Sequence, residues 1–366
     1  WLSNKIINII INNLKIGEFA PPRQGLSTAD NKHFVRDWSE VSRLNITFKL
    51  EDDENLKTKW VPFHKGGDFR RWYGNNLEII NWQNKGEELK NYKNAALRNS
   101  EFYFKKGITY SLFGFENFGV RYKENGFLFD SSAASIFPKS ERTNYILSFL
   151  SSKTCFKILS AIAPTVNFTV SSIASLPIIF PSDDSVKQKI DQLTQKNIDI
   201  SKEEWDSRET SWDFKINELI KHKDESNKLD IAFRNYCEYW KEKFFRLHKN
   251  EEELNQLFLD IYDLNDELDN KIPLDEITIL KDEVKERKED IHLLFRKFAA
   301  DFADKYRIPA IRLNEEAVDL LESYSWPGNI RQLKNICEQI SAVEQNRSVS
   351  KETLSQYIPK ENATPV

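Results

Sequence analysis

The spacing of apolar positions changes near residue 181, and with it the kind of structure the chain predicts. Before that point apolar residues come in short runs between turn-forming residues. Gly119-Val120-Arg121-Tyr122, Phe127-Leu128-Phe129 and Leu176-Pro177-Ile178-Ile179 read as short strands, with turns at Gly74-Asn75-Asn76 and Glu124-Asn125-Gly126. One helix is expected there, over residues 144–162, where Tyr145, Phe149, Phe156 and Leu159 recur near helical spacing and Pro164 stops it. From Ser185 onward the period is helical. Val186, Ile190, Leu193 and Ile198 mark one helix. Ile231, Phe233, Tyr236, Trp240 and Phe244 give residues 230–248 a broad apolar face, and residues 251–262 make a third helix. The acid-rich residues 265–283, with Pro273, predict a linker. Compact helices follow over 291–306, 314–323, 329–342 and 351–357, with Asn314 as a cap. No internal repeats occur.

The fold class expected is therefore α+β. A mixed domain over residues 1–180 precedes a mostly helical extension with an acidic linker over 181–284. A small helical bundle over 285–366 ends the chain.

Composition narrows the function classes. Of 366 residues, 40% are hydrophobic and 30% charged, which fits a globular protein and argues against a disordered one. No apolar run reaches the roughly 18 residues of a spanning helix, so no membrane is expected as partner. The opening apolar patch, residues 6–11, is interrupted by Asn8 and lacks a small-residue cleavage site, so no signal peptide is read there. Cys155, Cys237 and Cys337 lie far apart, which excludes a disulfide framework and zinc-ligand spacing and points to a reducing, cytoplasmic setting. There is no methionine at all, so the chain is expected to be an excised or altered segment. The net charge of −4 hides an asymmetry. Residues 59–123 hold twelve Lys/Arg against six Asp/Glu, whereas residues 249–290 hold six against fifteen.

Catalytic constellations are missing from the string: no Walker-type loop, no HExxH and no GxSxG. The five histidines are scattered without partners at ligand spacing, so neither catalytic residues nor metal ligands are assigned. The informative stretch is residues 59–75, where cations alternate with aromatics around Gly66-Gly67. Lys59, Lys65, Arg70 and Arg71 could meet phosphates, Trp72 or Tyr73 could stack on an unpaired base, and Asn75 and Asn76 could reach base edges. The alternative is that the aromatics are core and the charges solvated.

The order Gly25-Leu26-Ser27-Thr28-Ala29-Asp30-Asn31 with Phe34, Arg36 and Trp38, followed by residues 65–75, resembles the C-terminal half of the BREX phage-defence adenine-specific DNA methyltransferases. Ile80-Asn81-Trp82, Glu101-Phe102-Tyr103-Phe104, Lys106-Gly107-Ile108-Thr109-Tyr110-Ser111 and Phe127-Leu128-Phe129-Asp130 keep that family's order and spacing. Residues 164–177 resemble the end of its target-recognition domain, and the likeness continues through Ser201-Lys202-Glu203-Glu204-Trp205-Asp206 to fade near Leu280. The resemblance implies double-stranded DNA as partner, together with a catalytic methyltransferase domain or other defence-system subunits. These enzymes hold S-adenosylmethionine with an Asn-Pro-Pro-Tyr-bearing domain, and no such motif occurs here. The chain alone is thus expected to be inactive, and no cofactor is assigned to it.

The last 80 residues resemble something else. Lys285-Glu286-Arg287-Lys288-Glu289-Asp290-Ile291, then Tyr324-Ser325-Trp326-Pro327-Gly328-Asn329-Ile330-Arg331-Gln332-Leu333, look like the helical lid of sigma-54-dependent activator AAA+ ATPases. The resemblance makes Arg331 a second-sensor-like arginine facing nucleotide phosphates. The ATPase core that would bind ATP is not in this string, so a structural role for Arg331 is expected. Two family fragments meeting near Val284–Lys285 predict a composite: a fusion or an artificial chimera. The second function class is then a regulatory or interaction protein whose C-terminal bundle docks a partner.

Overall fold

The computed structural model describes residues 3–54, 56–112, 118–163, 167–225 and 228–280 and, further on, 292, 295–300, 302–303, 305–324, 329–344 and 346–358. The chain divides into two compact units, Trp1–Ile279 and Leu280–Val366. The join expected at Val284–Lys285 lies outside the described residues.

The first unit is α+β. Its strands among the described residues are β1 (Val35–Asp37), β2 (Trp60–His64), β3 (Glu78–Asn81), β4 (Gly107–Tyr110), β5 (Val120–Lys123), β6 (Leu128–Phe129) and β7 (Ser135–Ile136). One sheet runs β1-β3-β2-β6, antiparallel except where β6 joins β2 in parallel with Phe63 opposite Leu128. The other runs β5-β4-β7, antiparallel, with Thr109 opposite Arg121. Every residue of β2 is buried, which is why it reads as a continuous Trp-Val-Pro-Phe run instead of an alternation. Val61, Phe63, Ile80, Trp82, Tyr103, Phe104 and Phe129 share one aromatic-rich core. Each large side chain so buried contributes about 1.5–3 kcal/mol.

Helices cover the rest of the unit. The apolar pattern over 144–162 forms two helices, Ser140–Leu150 and Lys153–Ile162, bent by 75°. Ser152 starts the second by accepting a hydrogen bond from the Cys155 amide at 3.1 Å, so a cap interrupts what the periodicity predicts as one rod. The opposite correction applies to residues 230–262. The two expected helices are one, Leu229–Tyr262, of 34 residues. Lys249-Asn250 contains no breaker, and the buried Asn250 side chain bonds Asn197 of helix Asp184–Asp206 at 2.9 Å. Phe149 stacks on Tyr262 at 5.2 Å, closing the helical core. Leu176–Ile179 is not a strand. Pro177 offers no amide, and only an isolated bridge to Lys15 forms.

The expected linker is also corrected. Ile272, Ile277, Thr278 and Ile279 are buried, so the first unit includes the chain as far as Ile279. Residues 1–180 and 181–279 likewise share this unit. No single helix among the described residues is long and apolar enough to cross a membrane.

The second unit packs helices Glu315–Ser323, Asn329–Val343 and Lys351–Tyr357 around Phe295, Leu321, Leu333, Ile336, Cys337, Ile340 and Leu354. Asn314 caps the first of these, accepting from the Ala317 amide at 2.9 Å, as the sequence predicts. A short parallel pair, β8 (Arg312–Leu313) with β9 (Ser348–Val349), was not expected. Of the helix expected over 291–306, residues 292, 295–300, 302–303 and 305–306 are helical, while Ile291, Leu293, Leu294, Asp301 and Asp304 lie outside the described residues.

Candidate nucleic-acid interface

The loop between β2 and β3 carries the cation–aromatic stretch, and the backbone fixes it tightly. Trp72 lies alongside β5: its amide donates to Val120 O at 2.9 Å, and its carbonyl accepts from the Tyr122 amide at 2.7 Å. Trp72 itself has φ 70°, a conformation costly for a bulky residue unless its surroundings hold it. Gly74, at φ 124°, is needed because a Cβ there would meet Arg70 Nε at 2.3 Å.

The side chains then run inward. Arg70 pairs with Glu204, which is fully buried, and its Nε donates to Tyr73 O at 2.6 Å. The guanidinium also lies 5.0 Å over the Trp205 ring. Arg71 sits 3.2 Å from Glu251, donates to Glu276 O at 2.8 Å and has its amide held by Thr278 Oγ1 at 3.1 Å. Trp72, 1% exposed, donates from Nε1 to Glu251 Oε1 at 2.6 Å. Tyr73 donates to Glu124 at 2.9 Å and accepts from Lys202 Nζ at 2.8 Å. Burial pushes the Glu251 carboxyl above the ordinary range, against the opposing pull of Arg71 and of the Trp72 hydrogen bond.

Behind the loop lies a second set of buried cations. Arg121 is fully buried. Its Nη2 donates to Gly66 O at 2.9 Å, while its Nε and Nη1 have no hydrogen-bond partner. Burial, with Arg70 nearby, pushes it down to about 10. Lys123 is equally buried, donating to Lys105 O at 2.5 Å beneath the Phe129 and Phe137 rings, and burial pushes it down to about 7. His64 stacks on Phe127 at 4.2 Å without a hydrogen-bond partner, and burial holds its pKa well below the usual histidine value.

The comparisons with known proteins find two kinds of relative. Residues 285–365 match the AAA+ ATPase lid domain. The chain is 34% identical over 281 residues to the adenine-specific methyltransferase PglX of Lacticaseibacillus casei (strain Zhang), covering 73% of this chain and 23% of that protein. It is 34% identical over 265 residues to the adenine-specific methyltransferase BrxX of Escherichia coli O9:H4, covering 71% of this chain and 21% of that protein. The alginate biosynthesis transcriptional regulatory protein AlgB of Pseudomonas putida matches over 70 residues at 41% identity, 19% of this chain and 16% of AlgB. Most of this chain is homologous to BREX-type adenine methyltransferases. It spans less than a quarter of their length.

Within the first unit the expected DNA contacts are redistributed. Arg70, Arg71, Trp72 and Tyr73 form an interior interlock, and the expectation that they face phosphates and bases is corrected. Arg70 is paired with Glu204, Arg71 and Trp72 with Glu251, and Tyr73 with Glu124 and Lys202, and all four side chains are buried, turned away from any phosphate outside. Asn75 is spent on the loop itself, donating to Gly66 O at 3.1 Å and Asp68 O at 2.9 Å, and Asn76 is buried. Lys59 remains exposed, 5.5 Å over the Trp60 ring, and Lys65 is half-buried. The Arg331 side chain and Trp326-Pro327-Gly328 lie outside the described residues.

Sequence reasoning missed the acids that receive these arginines. Glu204 and Glu251 recur on the apolar faces of helices, Glu204 beside Trp205 and Glu251 three residues before Leu254. An acid at a core-facing position was the available signal for a buried pair. Arg121 and Lys123 carried a similar one, being cations within a strand whose neighbours are apolar.

Proposed function

We propose that the first unit is the DNA-contacting part of a phage-defence adenine-specific methyltransferase, and that its residues carry out no methyl transfer themselves. The observation that carries the reading is 34% identity, over 71–73% of the chain, to two proteins named adenine-specific methyltransferases. In this reading the partner is double-stranded DNA. Exposed Lys59 and half-buried Lys65 are its phosphate contacts, and Arg70, Arg71 and Trp72 set the shape of the surface from within. A catalytic methyltransferase domain or other defence subunits would complete the enzyme, and the setting would be cytoplasmic. No cofactor is assigned to these residues.

The test is a titration of a labelled duplex with the purified chain, read by fluorescence anisotropy at low and rising salt. Binding that weakens steeply with salt supports the reading. Absence of binding at low salt overturns its DNA part, and transfer of labelled methyl groups to plasmid DNA by the chain alone overturns the other.

A second reading attaches to the second unit, whose match to an AAA+ ATPase lid and whose own apolar core favour a partner-docking helical module. Arg331 then serves structure instead of sensing nucleotide, and Mg-ATP should leave the protease sensitivity of this unit unchanged.

A further inference from the structure

Four consecutive carbonyls after β2 are held by side chains. Ser132 Oγ donates to Lys65 O at 3.1 Å, and Arg121 Nη2 and Asn75 Nδ2 donate to Gly66 O at 2.9 and 3.1 Å. Ser111 Oγ donates to Gly67 O at 3.4 Å, and Asn75 Nδ2 also reaches Asp68 O at 2.9 Å. In a trans peptide the N–H points away from the carbonyl of its own unit. The amides of Gly66, Gly67 and Asp68 are therefore turned away from these donors, and among the described residues none of the three has an acceptor. Gly67 and Asp68 are exposed.

We propose that this turn is a phosphate site built from backbone, in which the amides of Gly67 and Asp68 hold one phosphate group of a DNA strand. The inference rests on the reading of the first unit as DNA-contacting, and it moves part of the contact from side chains to the main chain.

Two features separate the turn from an ordinary solvated loop. The first is its bracing. Gly66 and Gly67 lie at φ 88° and 94°, and a Cβ on Gly67 would stand 2.8 Å from Asn75 Nδ2, so glycine there is a condition of the brace. The second is the charge behind it. Arg121 is fully buried, forms no ion pair among the described residues, and leaves Nε and Nη1 without hydrogen-bond partners. Buried charges are ordinarily paired. This one is held against Gly66 O, where little water screens it, so its field favours an anion on the outer side of the turn. Half-buried Lys65 adjoins the turn and adds a second cation.

The donor set defines the ligand. Successive backbone N–H groups in a turn suit the oxygens of a tetrahedral oxyanion. Contacts of this kind fix a protein on the phosphate backbone without reading sequence. The exposed Asp68 carboxylate opposes an anion, so Asp68→Asn should strengthen binding. The shared chemistry is a phosphate group, from a DNA strand or free in solution.

The test reads the Gly67 amide directly. Gly66-Gly67 is the only Gly-Gly step in the chain, so labelling glycine with carbonyl carbon-13 and nitrogen-15 makes the Gly67 amide the single one coupled to a labelled carbonyl. The full chain is titrated with a DNA duplex and, separately, with inorganic phosphate. Addition of the duplex should move the Gly67 amide proton downfield. Asn75→Gly tolerates the φ of 59° at that position and removes only the brace. It should lower duplex affinity about tenfold, equivalent to ~1.4 kcal/mol, while the unfolding midpoint stays in place. A shift with the duplex alone supports the site and makes the strand its ligand; a shift with inorganic phosphate alone supports it and makes free phosphate the ligand. A duplex that binds while Gly67 stays unmoved overturns the site and leaves the DNA-contacting reading standing. A duplex that fails to bind removes that reading separately, and the phosphate arm then decides the site: no shift overturns it.

Discussion

Trp72 and Glu251, 179 residues apart in the chain, are joined by a 2.6 Å hydrogen bond from the indole Nε1 to a carboxylate oxygen. The same carboxylate faces Arg71 at 3.2 Å, so two consecutive residues of the β2–β3 loop converge on one point of helix Leu229–Tyr262. A third, Arg70, reaches Glu204 of helix Asp184–Asp206. The loop that looks in the sequence like a nucleic-acid surface thus ties a β-rich half to a helical half.

Removing Glu251 should expose how much this tie matters. Glu251→Ala leaves a buried guanidinium and a buried indole N–H without their acceptor, a loss of about 3–5 kcal/mol for a broken buried pair. Urea unfolding of the full chain should show the midpoint falling for Glu251→Ala and for Arg71→Ala. The double variant Arg71→Met/Glu251→Leu should cost less than the sum of the single changes. An unchanged midpoint in Arg71→Ala would return that arginine to the surface.

Lys123 makes stability depend on pH in a defined direction. Its folded value is pushed down to about 7 from 10.5, so between those limits the unfolded chain holds a proton that the folded chain lacks. Stability should therefore rise with pH from about 7 towards 10.5, by at most ~1.4 kcal/mol per pH unit from this group. The penalty is fully present below pH 7. Lys123→Met removes the titrating group, and unfolding measured across pH 7–10 should show a shallower rise than in the wild type. Identical pH profiles would place the ammonium in contact with water.

Limited proteolysis should respect the buried segment that composition misreads. Ile272, Ile277 and Ile279 are buried, and the Glu276 carbonyl and Thr278 hydroxyl hold Arg71. Cleavage that separates the two units should fall after Ile279 and not between 272 and 279. Mass spectrometry of the first fragments decides this, and an early cut at Lys271-Ile272 or within the following seven residues would contradict it.

What the sequence shows and what it hides follow from the range of the interactions. The helix around Ile190 and Leu193, the cap at Asn314 and the strand at Val120 are local patterns, and they are legible. The break at Ser152 and the continuity through Asn250 depend on single polar side chains, which apolar periodicity does not register. The interlock was least legible, because Arg70 and Glu204 are separated by 134 residues and only the fold brings them together. Residues 265–283 read as a linker because acids are counted along the chain, whereas burial is decided by Ile272, Ile277, Thr278 and Ile279, which are buried among those acids.

The most direct test of the account is the salt dependence of duplex DNA binding by the full chain and by Lys59→Ala/Lys65→Ala. The logarithm of affinity should fall linearly with the logarithm of salt concentration in the wild type, and the double lysine variant should bind more weakly with a slope lower by about one per lost phosphate contact. No duplex binding at low salt, or a slope unchanged by the loss of both lysines, would contradict it.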